Sequence, residues 1–309
     1  MIWHQKEYGD WIIQKGYRPS TRKAYLWHLE KFIQYSRGLG LGGVEEITPK
    51  HLKEYKVNLF KSQSHRLTHY HIRTINYFLR VVKSFLVFLA KEGYVAGDLS
   101  KEVLWVKEPK ELPQVILSDQ QIKKILKVPD LHHPLGYRDR TILELLYSTG
   151  ARRNELLNLN IDDLDMMEGY CRIIQGKGGK DRIVPMGKTA RIYLENYIKG
   201  VRPQLTKNTV EKALFVNHWG ERLGADGLSQ MIHRRTRQAK IEKNVTPHVF
   251  RRSCATGMIK NKAHPYYVKE LLGHENLSSL EPYLKLTIVD LKEVHRKCHP
   301  REKERSLNT

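Results

Sequence analysis

The sequence is poor in cysteine and has no long apolar run. Its only three cysteines, Cys171, Cys254 and Cys298, stand far apart, which argues against a disulfide framework and favours a reducing compartment. No C-x-x-C spacing typical of a zinc site occurs. The longest apolar runs, such as Phe85 to Ala90, are far shorter than a bilayer span, and the first residues do not form a signal peptide pattern. We therefore expect a cytoplasmic protein without a metal, a cofactor or a membrane segment.

Acidic residues are also few in comparison with basic ones. The 54 Lys and Arg outnumber the 33 Asp and Glu, which gives a formal net charge of +21 and a pI near 9.8. Residues 1–110 hold 19 basic and 10 acidic side chains, and the remainder holds 35 and 23, so both halves are positive. This distribution favours a protein that grips a nucleic acid from two sides over a generic basic protein or one that binds an anionic membrane.

The first hundred residues carry only helical patterns and predict a basic module of about four helices. Ser20 and Thr21 are the expected cap of a helix that Gly38 ends. Thr48 and Pro49 predict a helix to about Lys61. Apolar residues at helical spacing predict a longer helix over 68–92.

A short proline-flanked segment at 109–114 is predicted to be a linker, and Ser118 with Gln121 then forms a capping box. The second half has a mixed pattern. Two β-branched runs at 169–175 and 181–185 flank a Gly-rich turn and predict a hairpin. Further helices are predicted at about 138–148, 153–159, 190–198, 226–240, 247–260, 265–272 and 289–297.

Four short patches in the second half carry residues suited to chemistry. They are T-G-A-R-R-N-E-L with Arg152, G-K-G-G-K-D-R with Lys177, T-P-H-V-F-R with His248 and Arg251, and L-L-G-H-E-N-L-S-S-L-E-P-Y with His274 and Tyr283.

Together these side chains suit the transfer of a phosphoryl group. Two arginines can clamp phosphate oxygens with planar forks, and a lysine can deliver a proton as well as a charge. Two histidines can move protons near neutral pH, and a tyrosine can act as a nucleophile that forms a covalent intermediate. Each well-placed donor to the developing charge is worth roughly 3–4 kcal/mol.

The order Arg…Lys…His-x-x-Arg…Gly-His…Tyr resembles the signature of the tyrosine recombinase (phage integrase) family, and most of all its compact Xer-type members. The resemblance covers nearly the whole chain. It implies a mainly helical protein with a small β-sheet in its catalytic domain, built as a two-domain C-shaped clamp around DNA. Residues 1–108 would form a helical, SAM-like core-binding domain, and residues 115–309 the catalytic domain with its tyrosine segment and tail helix.

The resemblance also implies a role for each matching residue. Arg152 and Arg251 would hold the scissile phosphate, and His274 would hydrogen-bond it. Lys177 would be the general acid for the 5′-oxygen leaving group, and His248 would help to take the proton from the nucleophile. Tyr283 would form a 3′-phosphotyrosyl link, with neither ATP nor metal required. Glu155 matches an acidic position that braces the first arginine.

The chain departs from the family pattern at a few positions. Arg252 stands where family members usually carry His, and Pro282 directly precedes the tyrosine. Outside the signature, Arg234, Arg235 and Arg237 form a dense cluster on one predicted helix, which we expect to meet DNA.

The implied partner is double-stranded DNA, and the implied assembly is a homotetramer on two DNA sites, with a second recombinase as a further possibility. The tail residues Ile288, Leu291 and Val294 would pack on a neighbouring protomer. No small-molecule substrate is expected. The sequence leaves open whether the reaction resolves chromosome dimers or integrates and excises mobile elements. It also leaves three rival functions: a type IB topoisomerase-like enzyme, a catalytically silent DNA-binding regulator, and a metal-dependent nuclease.

Overall fold

A computed structural model describes residues 3–63, 68–108, 115–174, 181–206 and 210–273. The chain divides into two compact units, residues 1–111 and 112–309. Each unit has its own hydrophobic core. The division falls inside the predicted linker at 109–114, whose residues lie outside the described ranges.

Helices account for nearly all regular structure in the described part of unit 1. They are α1 (Gln5–Gln14), α2 (Pro19–Gly38), α3 (Pro49–Lys61) and α4 (Ile72–Lys91), with 3₁₀ turns at Val44–Glu46 and Leu99–Glu102. The predicted start and end of α3 are confirmed, because the Thr48 side chain accepts a hydrogen bond from the His51 backbone and Pro49 occupies the first turn.

Two predicted helix starts in unit 1 are wrong. Helix α2 begins at Pro19, before the expected cap at Ser20 and Thr21, since a proline is well accommodated in a first turn. Helix α4 begins at Ile72 because the His71 side chain caps it by accepting a hydrogen bond from the Arg73 backbone. Helix α1, which the sequence reasoning did not locate, contributes Tyr8 and Ile12 to the core.

Unit 2 combines helices with a small sheet, as predicted. Its elements are α5 (Asp119–Lys127), α6 (Pro134–Thr149), α7 (Arg153–Asn158), β1 (Leu164–Asp165), β2 (Tyr170–Ile173), β3 (Arg182–Pro185), α8 (Lys188–Asn196), a π-helical turn (Tyr197–Val201), α9 (Arg202–Leu205), α10 (Ala225–Gln238), α11 (Pro247–Lys260) and α12 (Pro265–Leu272). The predicted bounds of α11 and α12 are confirmed, and each of these helices has proline in its first turn. The helix predicted at 289–297 lies outside the described residues.

The sheet is antiparallel in the order β1-β2-β3, which confirms the predicted hairpin strands. Cys171 pairs with Val184 and Ile173 with Arg182, so the inward face of the hairpin carries three buried apolar residues and one arginine. The hairpin turn at 175–180, which includes Lys177, lies outside the described residues.

A buried cluster of side-chain ion pairs joins α10 to α6. Asp139 has no exposed surface, and its two carboxylate oxygens accept hydrogen bonds from Arg138 at 2.7 Å and Arg235 at 2.6 Å. Arg234, whose side chain is 53% exposed, also donates to Asp139 Oδ2 at 3.3 Å. The expectation that this arginine cluster faces DNA is therefore wrong for Arg235, because its guanidinium is paired with Asp139 inside the fold.

Across the described ranges, none of the helices is both long and apolar enough to cross a membrane.

Candidate active site

The first predicted catalytic residue, Arg152, lies at the corner between α6 and α7. Helix α6 ends at Gly150, whose φ of 59° lies in the left-handed region that glycine adopts without strain. Helix α7 starts directly after Arg152. Its third residue, Glu155, reaches back to accept a hydrogen bond from the Arg152 backbone at 2.8 Å. The local sequence thus fixes the backbone of Arg152 by the geometry of a capping box.

The side chain of Arg152 is held on two sides. Its Nη1 donates to Glu155 Oε1 at 2.7 Å, and its Nη2 donates to the backbone carbonyl of Gly273 at 2.8 Å. The side chain stays 20% exposed. These bonds fix the plane of the guanidinium and leave it accessible to a ligand.

Arg251 comes from α11 and contacts the same corner. It is buried, and its Nη1 donates to the Gly150 carbonyl at 2.7 Å while its Nη2 donates to the Leu272 carbonyl. Gly150 and Arg152 lie two residues apart, and Leu272 and Gly273 are adjacent. The two predicted phosphate-binding arginines are therefore brought together at one place.

His248 lies three residues before Arg251 and is exposed on the first turn of α11. Partial desolvation of its ring lowers the pKa of His248, and the positive charges of Arg251, Arg252, Arg153 and Arg152 lower it further. A lowered pKa keeps the imidazole neutral at neutral pH, which is the form that can accept a proton.

Glu155 is the buried carboxylate at the centre of this arrangement. Burial alone would raise the pKa of Glu155, but hydrogen bonds from Arg182 and Arg152 outweigh that effect and lower the pKa to about 2. Arg182 donates from Nη1 to Oε1 at 3.0 Å and from Nη2 to Oε2 at 2.7 Å. One ionised carboxylate thus braces Arg152 and Arg182 together.

The C-terminal end of α12 is the third side of the site. Its last carbonyls accept hydrogen bonds from three guanidinium groups: Leu271 from Arg182, Leu272 from Arg251 and Gly273 from Arg152. A helix C-terminus carries partial negative charge and free carbonyls, so it attracts cations. His274 follows this end directly in the sequence.

The structure brings together Arg152, His248 and Arg251, while Lys177, His274 and Tyr283 lie outside the described residues. Strand β3 starts five residues after Lys177, and α12 ends two residues before His274. In the described parts of the chain, His, Cys, Asp and Glu side chains do not gather in groups of three or more that could hold a metal ion.

Arg182 is the site residue that the sequence reasoning missed. A signal for it exists in the alternation of β3, where Val184 is buried and Ile183 is 63% exposed. Because side chains alternate along a strand, Arg182 shares the inward face with Val184. A charge on an inward face needs a partner of opposite charge, which points to a buried carboxylate nearby.

Comparison with known proteins shows which family the chain belongs to. Residues 116–288 match the model of the phage integrase family, and residues 6–93 match the N-terminal SAM-like domain of phage integrases. The tyrosine recombinase XerD of Staphylococcus epidermidis is 36% identical over 298 residues, which span 96% of this chain and 98% of the relative. The chain belongs to the phage integrase family.

Other tyrosine recombinases resemble this family member in sequence and in fold. XerD of Staphylococcus aureus is 35% identical over 290 residues, which cover 94% of this chain and 95% of the relative. The Tn1549 transposon integrase, solved in complex with transposon right end DNA, superposes with a TM-score of 0.74 at 18% identity and covers 96% of this chain and 99% of its own. The XerH recombinase bound to its difH substrate gives a TM-score of 0.67 at 22% identity, over 88% and 78% of the two chains. Both solved structures support the fold.

Membership in this family favours a recombinase over the three rival functions, namely a topoisomerase-like enzyme, a silent DNA-binding regulator and a metal-dependent nuclease. This tyrosine recombinase is an enzyme that cuts and rejoins DNA strands in site-specific recombination, either in chromosome-dimer resolution or in the integration and excision of mobile elements.

Proposed function

We propose that Arg152 and Arg251 hold the scissile phosphate of a DNA strand and that His274 adds a hydrogen bond to it. The observation that carries this proposal is the meeting of the two arginines at the α6–α7 corner beside the end of α12. Glu155 and backbone carbonyls fix the two guanidinium planes before any substrate arrives. Donors oriented in advance stabilise charge that develops in a transition state, because they need little reorganisation.

Proton movement is assigned to the remaining residues. Tyr283 attacks the phosphorus, His248 helps to take the phenolic proton, and Lys177 gives a proton to the 5′-oxygen that leaves. The lowered pKa of His248 supports its part, because a neutral imidazole can accept the proton. The P–O bond to Tyr283 forms as the P–O bond to the 5′-oxygen breaks, and the 5′-hydroxyl of a partner strand later reverses the exchange. The phosphodiester energy is kept, so neither ATP nor a metal ion is required.

Double-stranded DNA is the proposed substrate. Residues 1–108 would serve as the core-binding domain and residues 115–309 as the catalytic domain. The net charge of +21, positive in both halves, supports this assignment. The XerH and Tn1549 integrase structures are complexes with DNA, which agrees with this assignment. We place the reaction in the cytoplasm.

The proposed working assembly is a homotetramer on two DNA sites, in which a second recombinase can replace some copies. The tail with Ile288, Leu291 and Val294 would pack on a neighbouring copy. An open groove of about 810 Å³ in unit 2, with apolar residues such as Ile122 and Met258 in its lining, offers a surface for such a tail.

This assembly is tested by deleting residues 287–309 and comparing synapsis of two DNA sites with binding of one site. We expect synapsis to be lost while single-site binding remains within about threefold. Equal loss of both activities would contradict the assembly.

The chemistry is tested with a nicked suicide substrate in EDTA, followed by a denaturing gel. We expect a covalent protein–DNA adduct with the wild-type protein and none with Tyr283→Phe. Tyr267→Phe is the matched control, because Tyr267 is 68% exposed on α12 and has no assigned role. An adduct that persists in Tyr283→Phe, or that disappears equally in Tyr267→Phe, would contradict the proposal.

A further inference from the structure

The carboxylate of Glu155 is shared between two arginines. Arg152 donates from Nη1 to Oε1 at 2.7 Å and from its backbone N–H to Oε2 at 2.8 Å. Arg182 donates to the same two oxygens, from Nη1 to Oε1 at 3.0 Å and from Nη2 to Oε2 at 2.7 Å. Each oxygen of Glu155 therefore accepts one hydrogen bond from each of the two residues.

All three side chains lie where water screens charge poorly. The side chain of Glu155 is 6% exposed, that of Arg182 is 13% exposed and that of Arg152 is 20% exposed. Charges that are withdrawn from water interact strongly, and a buried charge that loses its partner is costly. The electrostatic balance of this cluster therefore depends on each of its members.

Glu155 is ionised, and Arg182 contributes most to keeping it so. Burial raises the pKa of Glu155, and the hydrogen bond from Arg182 is the largest of the effects that oppose burial and bring the pKa to about 2. At neutral pH the cluster thus holds two positive charges and one negative charge. One net positive charge remains for a ligand.

Arg182 is fixed toward the interior, whereas Arg152 is the more accessible of the two arginines. The Nε of Arg182 donates to the Leu271 carbonyl at 3.1 Å, and its guanidinium lies against Gly273, where an added Cβ would come within 3.0 Å of Nη1. These contacts commit Arg182 to Glu155 and to the end of α12. In the absence of Arg182, the carboxylate would pair with Arg152 alone, and the ion pair would be neutral overall.

We propose that Arg182 is a positioning residue for strand cleavage: it supplies the counter-charge for Glu155, so that the carboxylate orients Arg152 without cancelling its positive charge. This inference rests on the proposed function, in which Arg152 holds the scissile phosphate. A phosphate that meets a neutral Glu155–Arg152 pair experiences a weaker attraction than one that meets the complete cluster.

The inference predicts that removing the negative charge of Glu155 compensates for the loss of Arg182. Single-turnover formation of the covalent adduct is measured for wild type, Arg182→Met, Glu155→Gln and the double variant. We expect Arg182→Met to be slower than wild type by about 10- to 100-fold, a smaller loss than the removal of a whole transition-state donor. We expect the double variant to be at least about fivefold faster than Arg182→Met, because Arg152 regains its full charge.

A purely structural role for Arg182 predicts the opposite order of rates. Glutamine keeps one oxygen that can accept a hydrogen bond from Arg152, but the double variant still has fewer contacts than Arg182→Met. If Arg182 served packing alone, the double variant would therefore be the slower of the two. A double variant that is no faster than Arg182→Met would overturn the inference.

Arg182→Lys tests the same point by conserving the charge. Lysine remains positive but lacks the planar fork that binds both carboxylate oxygens. We expect Arg182→Lys to cleave within about threefold of the wild-type rate, because the counter-charge for Glu155 is kept. A lysine variant as slow as Arg182→Met would count against the inference.

Thermal unfolding of each variant shows whether the rates refer to folded protein. If Arg182→Met does not fold, Arg182→Gln takes its place, since glutamine also removes the charge but keeps hydrogen-bond donors. The expected order of rates with and without Glu155→Gln is unchanged. The same failure of compensation would overturn the inference.

Arg191→Met is the matched control. Arg191 also donates to backbone carbonyls, those of Met166 and Met167, and also lies against a left-handed glycine, Gly169. None of these contacts involves Glu155. We expect Arg191→Met to match the wild-type rate to within about twofold, and addition of Glu155→Gln to give no gain in rate. A gain as large as that seen with Arg182→Met would show that the compensation is not specific to Arg182.

Arg152→Ala distinguishes a failure of this inference from a failure of the proposed function. If Arg152→Ala forms the adduct at the wild-type rate, Arg152 does not hold the scissile phosphate, and the proposed function fails together with the inference. If Arg152→Ala is slow but Glu155→Gln does not compensate for Arg182→Met, only the inference about Arg182 fails.

Discussion

Two buried carboxylates in unit 2, Glu155 and Asp139, bind arginines in nearly the same way but in different surroundings. Glu155 is 6% exposed and binds Arg152 and Arg182 at 2.7 Å each. Asp139 is fully buried and binds Arg138 at 2.7 Å and Arg235 at 2.6 Å. The ion-pair chemistry of the two clusters is therefore alike.

The remaining donors of the arginines distinguish the clusters. Around Glu155 they run to the last carbonyls of α12, next to the segment that carries His274. Around Asp139 the further donor of Arg138 runs to the Val216 carbonyl inside the core. We infer from this difference that an arginine cluster indicates a reactive site only when other residues suited to catalysis lie next to it. We expect the Asp139 cluster to serve stability and the Glu155 cluster to serve catalysis.

The largest effect is expected for the stability role of Asp139. Asp139→Asn leaves Arg138 and Arg235 without their anionic partner inside the fold. Removing one member of a buried ion pair costs roughly 3–5 kcal/mol, and we expect a loss of this size in the free energy of unfolding measured with urea. The adduct-forming rate of the folded fraction should stay near wild type. If Asp139→Asn is as stable as wild type but cannot cleave DNA, the Asp139 cluster serves catalysis and the assigned stability role is wrong.

The next effect concerns catalysis at the Glu155 cluster. Arg152→Ala removes one donor to the scissile phosphate, and we expect adduct formation to slow by about 10²- to 10³-fold. The side chain is partly exposed, so the loss of stability should be smaller than for Asp139→Asn. Arg235→Ala is the control, for which we expect the reverse: a lower unfolding free energy and a nearly unchanged rate. Similar behaviour of the two variants in both measurements would remove the distinction.

A smaller effect is expected at Gly150, whose carbonyl binds Arg251. Gly150→Ala places a side chain at a φ of 59° and a Cβ at 2.7 Å from Leu272 Cδ2, at a buried position. The left-handed strain alone costs about 1–2 kcal/mol. Gly40→Ala is the matched control, because Gly40 has a φ of 84° and no atom within 4 Å of an added Cβ. Thermal unfolding should show a larger loss for Gly150→Ala, and only this variant should also slow cleavage. Equal losses would show that the contact with α12 is unimportant.

The smallest effect is expected in the pH dependence of cleavage. The pKa of His248 is lowered from its usual value of 6.5, so the imidazole is neutral at pH 7 and gains its proton only below pH 6.5. The rate should therefore be flat above pH 6.5 and fall as the pH drops through the lowered pKa. We expect single-turnover rates between pH 5 and pH 8 to show this acidic limb in the wild-type protein and in the exposed-histidine control His132→Gln. The limb should be absent in His248→Gln, and its persistence there would contradict the proton-accepting role.

Much of this architecture could be predicted from the sequence because its signals are local. Caps and prolines gave the bounds of α3, α11 and α12, and β-branched runs gave the hairpin strands. The order of short patches gave the family, which the comparisons confirm. Arg152, His248 and Arg251 were all predicted as site residues, and the structure brings them together.

The errors arise where a contact joins distant parts of the chain. Arg235 was expected to face DNA because its partner, Asp139, lies 96 residues away. Arg182 was overlooked because its partners, Glu155 and Leu271, lie 27 and 89 residues away. Helix periodicity and caps report only on neighbouring residues, so they cannot predict which distant carboxylate an arginine will meet.

The central claim, that Arg152 neutralises charge on the scissile phosphate, is tested most directly by removing that charge from the DNA. A methylphosphonate at the cleavage site replaces one non-bridging oxygen with a methyl group and so lacks the negative charge. If Arg152 acts on that charge, Arg152→Ala should form the adduct at least about tenfold faster with the methylphosphonate than with the phosphate, whereas wild type and Arg235→Ala should gain nothing from the change. The same ratio of the two rates in all three proteins would contradict the claim.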